Sequence, residues 1–230
     1  MKRYLITGAS RGIGRAIAEK LAGAEVSLLL HGRDREALAR TCRSVEAKKG
    51  AAVELLHDLR DPGTIEKMIE EIGEAALDGF INNAGVATVK PLADITLEEW
   101  QTILAVNVTA PFLLIQKLLP IMPAGSSIVN ILSIAAKTGF PNWSAYCMSK
   151  FALEGFSQSV REELRGRGIR VLNVYPAATS TEIWNGVEGE WPRDKMLLPD
   201  QIGDAVAYAL SRRAEVAVEN ITLQNVHGAL

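Results

Sequence analysis

The sequence predicts a single α/β domain built on a doubly wound, mostly parallel sheet of seven strands. Short apolar runs alternate with longer amphipathic runs, which is the pattern of consecutive strand–helix–strand units. A glycine-rich turn follows the first apolar run directly and opens the first amphipathic run. The 230 residues, 48% of them hydrophobic and 23% charged, suffice to bury a large core. No repeat, low-complexity stretch or linker divides the chain, so residues 1–230 are expected to form one domain.

The first half of the chain is expected to contain four strands separated by helices with recognisable start signals. Asp34 is placed to cap a helix that runs to Lys49, and Gly50 follows as a stop signal. Asp61-Pro62 has the form of an N-cap followed by proline at the first helical position. The strands are predicted at Tyr4–Thr7, Glu25–His31, Ala52–Leu56 and around Phe80-Ile81, and the first helix at Gly12–Leu21.

The second half continues the alternation. Thr96-Leu97-Glu98-Glu99 has the capping-box form and begins a long apolar helix to about Leu119, which Pro111 is expected to bend. Residues 177–198 show no clear period. Right-handed crossovers would place the carboxyl ends of all strands along one edge of the sheet. The remaining strands are predicted at Ser127–Leu132, Arg170–Tyr175 and Ala217–Leu223, and the remaining helices at Trp143–Arg165 and Pro199–Ser211.

Composition argues against several classes of function. The formal net charge of -2 shows no basic excess, so nucleic acid is not an expected partner. No apolar run approaches the ~20 residues that span a bilayer, and the N-terminal segment lacks the apolar region of a signal peptide. Cys42 and Cys147 are far apart, which fits a reduced, cytoplasmic setting. The three scattered histidines predict no metal site.

The turn after the first strand predicts a phosphate-binding site. It reads Thr7-Gly8-Ala9-Ser10-Arg11-Gly12-Ile13-Gly14. Glycines allow a tight turn and a close approach of the backbone to a pyrophosphate, and the following helix N-terminus offers free N–H groups. A glycine-rich turn without a ligand is the alternative; the position between a strand and a helix favours binding.

The turn, with its TGxxxGxG spacing, resembles the short-chain dehydrogenase/reductase family. The resemblance continues over nearly the whole chain and in the family's order, with Asn82-Asn83-Ala84-Gly85, Asn107, Ser133, Tyr146-Cys147-Met148-Ser149-Lys150 and the segment Pro176 to Thr181. It implies a Rossmann-like fold and an oxidoreductase that moves a hydride between a nicotinamide and a carbonyl or alcohol substrate. It also implies a homodimer or homotetramer.

The resemblance implies a role in cofactor binding for residues of several segments. Asp58 and Leu59 are expected to meet the adenine; from the sequence alone Asp58 could equally cap a helix or be a solvated acid. The turn from Asn82 to Gly85 should border the adenosine ribose, and Lys150 the nicotinamide ribose. The full set expected to bind the cofactor is Gly8, Ser10, Arg11, Gly12, Ile13, Gly14, Arg33, Asp58, Leu59, Asn82, Asn83, Ala84, Gly85, Tyr146, Lys150, Pro176, Thr179 and Thr181.

Charge at the tip of the second strand favours NADPH/NADP+ over NADH. An acid there would bind the ribose 2′-hydroxyl and repel a 2′-phosphate. The tip reads His31-Gly32-Arg33-Asp34, and Arg33 and Arg11 can both pair with a phosphate. Asp34 is interpreted as the cap of the next helix, pointing away from the ribose. Each arginine could instead be a solvated surface charge.

Tyr146 and Lys150 are four residues apart in a predicted helix and therefore share a face. One ammonium at ~6 Å, with an effective dielectric constant of ~20, would stabilise the phenolate by about 2.8 kcal/mol. This would bring the tyrosine pKa from ~10 towards ~8, suitable for proton transfer. Ser133, at the end of the fifth strand, could hydrogen-bond the substrate oxygen. The resemblance adds Asn107, which positions a water beside Lys150. Taken alone, the tyrosine and lysine could be structural.

Residues 177–198 are expected to form a lid over the active site. Trp184 and Trp191 could form one apolar wall of a substrate site, and Phe140 and Trp143 the opposite wall; each could instead fill the core or an interface. Lys137, Arg193 and Lys195 are candidates for binding an anionic substrate.

Two departures from the family pattern stand out. Ala177 replaces the usual glycine after Pro176, and residues 221–230 lack the usual Asp-Gly-Gly ending. The ending resembles the branch with serine or hydroxy-acid dehydrogenases and sepiapterin-reductase-like enzymes.

Two other functions could use this fold. A non-catalytic dinucleotide-binding regulator or scaffold would not need Ser133, Tyr146 and Lys150, so the intact set argues against it. A methyltransferase would need neither Tyr146 nor Lys150 and would usually show an acid at the tip of the second strand. Fold alone cannot separate these functions.

Overall fold

A computed structural model describes residues 1–187, 191–226 and 228 of the chain. Its seven strands form one sheet in the order β3-β2-β1-β4-β5-β6-β7, and every pairing is parallel, which confirms the predicted doubly wound sheet. The strand order reverses beside β1, where such folds bind ligands at the carboxyl edge. The strands are β1 Lys2–Ile6, β2 Val26–Gly32, β3 Ala51–Leu56, β4 Gly79–Asn82, β5 Ser127–Ile131, β6 Arg170–Pro176 and β7 Asn220–Leu223.

The predicted helix start signals are confirmed by their hydrogen bonds. The Asp34 carboxylate accepts from the backbone N–H of Ala37 at 3.0 Å, and Asp61 accepts from Gly63 at 2.8 Å. Thr96 and Glu99 form the reciprocal capping box. The helices are α1 Gly12–Leu21, α2 Arg35–Ala47, α3 Pro62–Ile72, α4 Leu97–Leu104, α5 Ala110–Leu118, α6 Ser144–Arg165 and α7 Pro199–Leu210.

The helix predicted as one long element is two helices joined by a wide π turn at Ala105–Thr109. Pro111 has no N–H to donate to the carbonyl of Asn107, four residues earlier, and the backbone widens at that point.

By length and composition the continuous stretch Leu97–Ile121 could cross a membrane, so the expectation that no such run exists was wrong. Its residues Leu114 and Leu118 are fully buried in the protein core.

Helices cover both faces of the sheet. Those on one face are α1, α2 and α7, which contribute Ile17, Leu38 and Val206 to one hydrophobic core. Those on the other face are α3, α5 and α6, which contribute residues such as Ile65 and Val160 to a second core. This layering buries both faces of the parallel strands and leaves their carboxyl edge for a site.

Four asparagines occupy matching register positions on adjacent strands. Asn82, Asn130, Asn173 and Asn220 pair in succession across β4, β5, β6 and β7, and the first three are buried. Asn82 donates to Asn130 at 3.0 Å, and Asn130 donates to Ser157 of α6 at 3.0 Å. This asparagine row therefore links the sheet to the helix that carries Tyr146.

The last strand begins later than predicted, at Asn220 instead of Ala217. Arg161 donates to the carbonyls of Val171 and Glu219, at 3.0 and 2.8 Å, where the two strands approach.

Two predictions concern segments that the structure describes only in part. Of the predicted lid, 177–198, residues 188–190 lie outside the described residues. Of the segment 221–230, which lacks the Asp-Gly-Gly ending, residues 227, 229 and 230 lie outside them.

Candidate active site

The glycine turn has the geometry that a phosphate site requires. Gly8 has φ +67 and Gly12 has φ +55, conformations that glycine adopts without strain. A Cβ at Gly14 would overlap the carbonyl oxygen of Gly8, so the turn and the first turn of α1 pack too closely for a side chain. The turn therefore exposes backbone N–H groups at the start of a helix.

The turn from Asn82 to Gly85 is bound to the glycine turn. The Asn83 side chain donates to the carbonyl oxygens of Thr7 and Gly8, at 2.9 and 3.1 Å. In return the Thr7 hydroxyl accepts from the backbone N–H groups of Asn83 and Ala84, at 3.0 and 3.1 Å. The ends of β1 and β4 thus form one rigid floor at the switch point of the sheet.

A cavity of about 350 Å³ opens above this floor. We call it the glycine-turn cavity. The following residues of the predicted cofactor set line it: Gly8, Ser10, Arg11, Gly12, Ile13, Arg33, Asp58, Leu59, Asn83, Ala84, Gly85, Tyr146, Lys150 and Thr181.

Four residues of the predicted cofactor set are not on that lining. Gly14 is packed beneath the turn, and the Asn82 side chain is turned into the asparagine row. Pro176 and Thr179 instead line a second cavity described below. The placement of Asn82 differs from the expectation because its amide pairs with Asn130 of the neighbouring strand.

His31, at the end of β2, also lines the glycine-turn cavity, although the sequence pattern predicted no role for it there. Its ring Nδ1 accepts the backbone N–H of Gly8 at 3.3 Å, so Nε2 carries the proton and donates to the carbonyl of His57 at 3.1 Å. Burial lowers the pKa of His31 to about 4. A neutral histidine therefore joins the glycine turn to the end of β3.

The charged groups at the adenosine end are arranged around Asp58. Arg60 binds its carboxylate through Nε at 2.9 Å, and Arg33 approaches it more loosely at 3.9 Å. The hydrogen bond from Arg60 holds the pKa of Asp58 below its usual value. Arg33 remains half exposed on the cavity lining, where an anion could reach it. Asp34 caps α2 as expected, but it also lines the cavity, which corrects the expectation that it points away.

Tyr146 and Lys150 lie side by side at the inner end of this cavity. The Lys150 ammonium is 5.6 Å from the centre of the Tyr146 ring and only 5% exposed as a residue. A Cβ built on Gly85 would lie 3.8 Å from Lys150 Nζ, so the absence of a side chain there leaves the ammonium accessible from the cavity.

The pKa of Tyr146 does not fall as the sequence predicted. Burial raises it to about 12, although a hydrogen bond with Ser133 partly opposes the rise. Burial also lowers the pKa of Lys150 to about 8. The physical reason is that burial makes a charged phenolate costly, and this cost exceeds the opposing effect of the hydrogen bond with Ser133. Tyr146 is therefore protonated at neutral pH in this arrangement.

Asn107 lies in the π turn and is 1% exposed. Its side-chain oxygen accepts from the Val86 N–H at 2.9 Å, and its nitrogen donates to the Val86 carbonyl at 2.9 Å and to Ser149 at 3.0 Å. The side chain thus holds the segment after Gly85 against α6. Its predicted role in positioning a water remains a prediction.

A second cavity of about 320 Å³ lies on the other side of Tyr146. We call it the aromatic cavity. Ser133 and the predicted wall residues Phe140, Trp143, Trp184 and Trp191 line it. Trp143 contacts Trp184 at 5.6 Å between ring centres, so it lies on the same wall as Trp184 and not on the opposite wall as expected. Trp184, Val187 and Met196 form a small buried cluster within the segment 177–198, so the described part of the predicted lid has a core of its own.

The three cations proposed for an anionic substrate are not on the described lining of this cavity. Lys137 lies over the ring of Tyr175 at 3.8 Å. Arg193 donates to the Thr181 carbonyl at 2.7 Å and to Asn185 at 3.2 Å. These expectations are therefore not supported by the geometry.

Comparison with known proteins identifies the family of the chain. The short chain dehydrogenase family model matches residues 2–190. The sepiapterin reductase of Chlorobaculum tepidum is 33% identical over 97% of this chain and 96% of its own. The L-2,3-butanediol dehydrogenase of Corynebacterium glutamicum is 35% identical over 82% of this chain and 76% of its own.

The structural comparison leads to the same family. The crystal structure of the angucycline C-6 ketoreductase LanV with bound NADP is similar with a TM-score of 0.86 and 32% identity, covering 96% of this chain and 93% of that one. Further similar structures also contain NADP or NADPH. The chain belongs to the short-chain dehydrogenase/reductase family of oxidoreductases.

Proposed function

We propose that this protein is an NADP(H)-dependent oxidoreductase that interconverts a carbonyl compound and the corresponding alcohol, with Tyr146 as the general acid and base. The observation that carries the proposal is that Tyr146 lines both cavities. One of them has the lining of a dinucleotide site, and the other is apolar. A phenol at their junction can exchange a proton with a molecule in the apolar cavity.

The glycine-turn cavity fits NADPH. The glycine turn and the N-terminus of α1 would hold the pyrophosphate, and Arg11 and Arg33 would meet the 2′-phosphate. A histidine held neutral beside the turn adds no competing charge. The NADP found in similar structures supports this choice of cofactor. When bound, NADPH supplies the hydride.

The residues of this chain supply the proton and stabilise the negative charge that develops on the substrate oxygen. In the reductive direction Tyr146 donates its proton to the substrate oxygen, and the Ser133 hydroxyl, which has a single proton, turns from Tyr146 to donate a hydrogen bond to the same oxygen. The charged form of Lys150 stabilises the phenolate that is left. A pKa of about 12 keeps Tyr146 protonated at neutral pH, which suits reduction.

The test is oxidation of NADPH by the purified protein, followed by absorbance, with a panel of carbonyl compounds that includes the reactive dione 2,3-butanedione. Tyr146→Phe should lower kcat/KM at least about 1000-fold while NADPH still binds within about threefold of the wild-type Kd. Full activity in that variant would refute the role of Tyr146. Binding of NADPH without turnover of any carbonyl would favour a non-catalytic regulator.

We also propose a homodimer or homotetramer in the cytoplasm. Phe112 of α5 and Phe151 of α6 are 43% and 47% exposed, and Phe112 packs against Phe156 at 6.1 Å between ring centroids. Exposed aromatic residues on adjacent helices are typical of an interface. Light scattering of the wild type and of Phe112→Glu would test the assembly.

The buried free thiols Cys42 and Cys147 support the proposed location in the reducing cytoplasm.

A further inference from the structure

The aromatic cavity has one wall made of aromatic rings that contact one another. The ring of Trp143 lies 5.5 Å from that of Tyr146 and 5.6 Å from that of Trp184, centre to centre, and both contacts are edge-on. Trp184 in turn lies 4.7 Å from Trp191. These four rings form a continuous aromatic surface that begins at the proton donor. A flat ring attached to the reacting carbonyl would find a matching face along this wall.

The charge of the lining excludes one class of substrate. Among the described residues that line the aromatic cavity, Tyr146 alone is ionisable, and its raised pKa keeps it neutral. The nearby guanidinium of Arg193 is occupied by Thr181 and Asn185. An anionic group would lose its hydration here without gaining a cation, which is costly in an apolar site. The described lining of the cavity therefore selects against anionic substrates.

The size of the cavity limits the substrate further. Its volume of about 320 Å³ is near the lower end for sites that bind small organic molecules. The side lined by Ile13 and Thr181 is shared with the glycine-turn cavity, so the cofactor needs part of this space. The tryptophan side is left for the substrate. It accommodates one compact ring system rather than a long acyl chain.

The two tryptophans of the lid are held differently. The indole N–H of Trp184 donates to the carbonyl of Thr179 at 2.8 Å, and the side chain is buried. The indole nitrogen of Trp191 is also buried, yet it has no hydrogen-bond partner among the residues that the structure describes. Trp184 is therefore anchored by a hydrogen bond that Trp191 lacks among the described residues.

The geometry points to an uncharged aryl ketone or aryl aldehyde as the substrate class, with Trp184 as the residue that determines this specificity. This inference rests on the proposed function, because it requires that Tyr146 reduces a carbonyl in the aromatic cavity. It adds three properties of the substrate that membership of the family leaves open: an aromatic ring, the absence of a negative charge and a compact size.

The experiment compares substrates matched in shape. Acetophenone and cyclohexyl methyl ketone differ in aromaticity, and 4-acetylbenzamide and 4-acetylbenzoate differ in charge. We expect kcat/KM for the amide to exceed that for the carboxylate at least about tenfold. We expect Trp184→Leu to reduce the preference for acetophenone over cyclohexyl methyl ketone about three- to tenfold, because an edge-on aromatic contact is lost. Comparing this ratio between proteins cancels the intrinsic reactivity of the two ketones.

Trp100→Leu is the matched control, because Trp100 lies on α4 and outside the described lining of the cavity; it should leave the preference unchanged. Trp143→Leu tests the same wall if Trp184→Leu fails to fold. A second readout, which needs no turnover, is calorimetric binding of acetophenone and of cyclohexyl methyl ketone to Tyr146→Phe loaded with NADPH.

The inference is overturned if kcat/KM for 4-acetylbenzoate equals that for 4-acetylbenzamide. It is also overturned if Trp184→Leu and Trp143→Leu keep the wild-type preference for acetophenone over cyclohexyl methyl ketone. Failure of the proposed function looks different: no carbonyl, including 2,3-butanedione, would be reduced. In that case the calorimetric comparison of the two ketones still decides whether the cavity prefers an aromatic ring.

Discussion

The ammonium of Lys150 donates a hydrogen bond to the backbone carbonyl of Ile131 at 3.0 Å. This contact ties α6 to the last residue of β5, two positions before Ser133. It therefore helps to hold Tyr146 and Ser133 in the register that lets their hydroxyl groups hydrogen-bond. The same burial that permits the contact lowers the pKa of Lys150 to about 8.

The first prediction concerns pH. Because burial brings the pKa of Lys150 to about 8, the ammonium is lost as pH rises through that value, and carbonyl reduction should decline in step. Lys150→Met should lower kcat/KM at least about 100-fold at neutral pH and abolish the decline. Rates from about pH 6 to about pH 10 measure this. Lys117→Met, which removes a surface ion pair with Glu66, is the control. A decline that persists in the Lys150 variant would contradict the assignment.

The second prediction concerns the 2′-phosphate. Arg33 is half exposed on the lining of the glycine-turn cavity and only loosely paired with Asp58. Arg33→Ala should weaken NADPH about 10- to 100-fold and NADH less than about threefold, because one charge-assisted contact is lost. Fluorescence titration with both nucleotides measures this. Arg60→Ala removes a cation from the same Asp58 and should affect the two nucleotides alike. Equal losses in the Arg33 variant would refute the argument.

The third prediction concerns His31 and acid stability. The folded pKa of about 4 lies below the ordinary value of 6.5, so the unfolded chain binds the proton first as pH falls. Stability from this residue is therefore complete above about pH 6.5 and is lost between that value and about pH 4, by on the order of 3 kcal/mol. Protonation also ends the bond from the Gly8 N–H to the ring.

His31→Gln keeps an acceptor and a donor but does not titrate. Urea unfolding at about pH 7 and about pH 4.5 should show a smaller acid loss in this variant than in the wild type. The same substitution at His57, whose ring faces Glu71 at 3.1 Å, serves as the control. If both variants lose as much stability in acid as the wild type, His31 is not the responsible group.

Features set by local sequence were predictable. The helix α1 begins and ends where the pattern placed it, and the caps at Asp34, Asp61 and Thr96 form the expected bonds. Each cap depends on residues only a few positions apart. The residues brought together around Tyr146 could be listed because the chain resembles a known family, whereas short motifs alone would have left them ambiguous.

Features set by register and burial were not predictable. His31 and Gly8 are 23 residues apart, and their contact follows from how β1 and β2 align. Nothing in the sequence shows that Asn82, Asn130 and Asn173 lie side by side, although each falls in a buried strand. The pKa of Tyr146 was misjudged because the sequence shows a neighbouring lysine but not the burial of both groups.

The fourth prediction concerns the asparagine row. Asn130 accepts from Asn82 and donates to Ser157 and Asn173, at 3.0, 3.0 and 3.3 Å, all buried. Asn130→Leu should lower the free energy of unfolding by about 2–4 kcal/mol, because several buried polar groups lose a partner at once. Chemical denaturation measures this loss. Asn185→Leu, on the exposed lid, should change stability by less than about 0.5 kcal/mol. If Asn130→Leu and Asn185→Leu lowered the free energy of unfolding by the same amount, the asparagine row would add no cooperative stability.

The fifth prediction contrasts the two lid tryptophans. Replacement by phenylalanine removes only the indole N–H and part of the ring. At Trp184 this leaves the Thr179 carbonyl without its partner, so the free energy of unfolding should fall by about 1–3 kcal/mol. At Trp191 the nitrogen has no partner among the described residues, so Trp191→Phe relieves a buried, unsatisfied donor. It should leave stability unchanged or raise it slightly. Thermal unfolding of both variants measures the difference, and a larger loss at Trp191 than at Trp184 would show that the lid is held through Trp191.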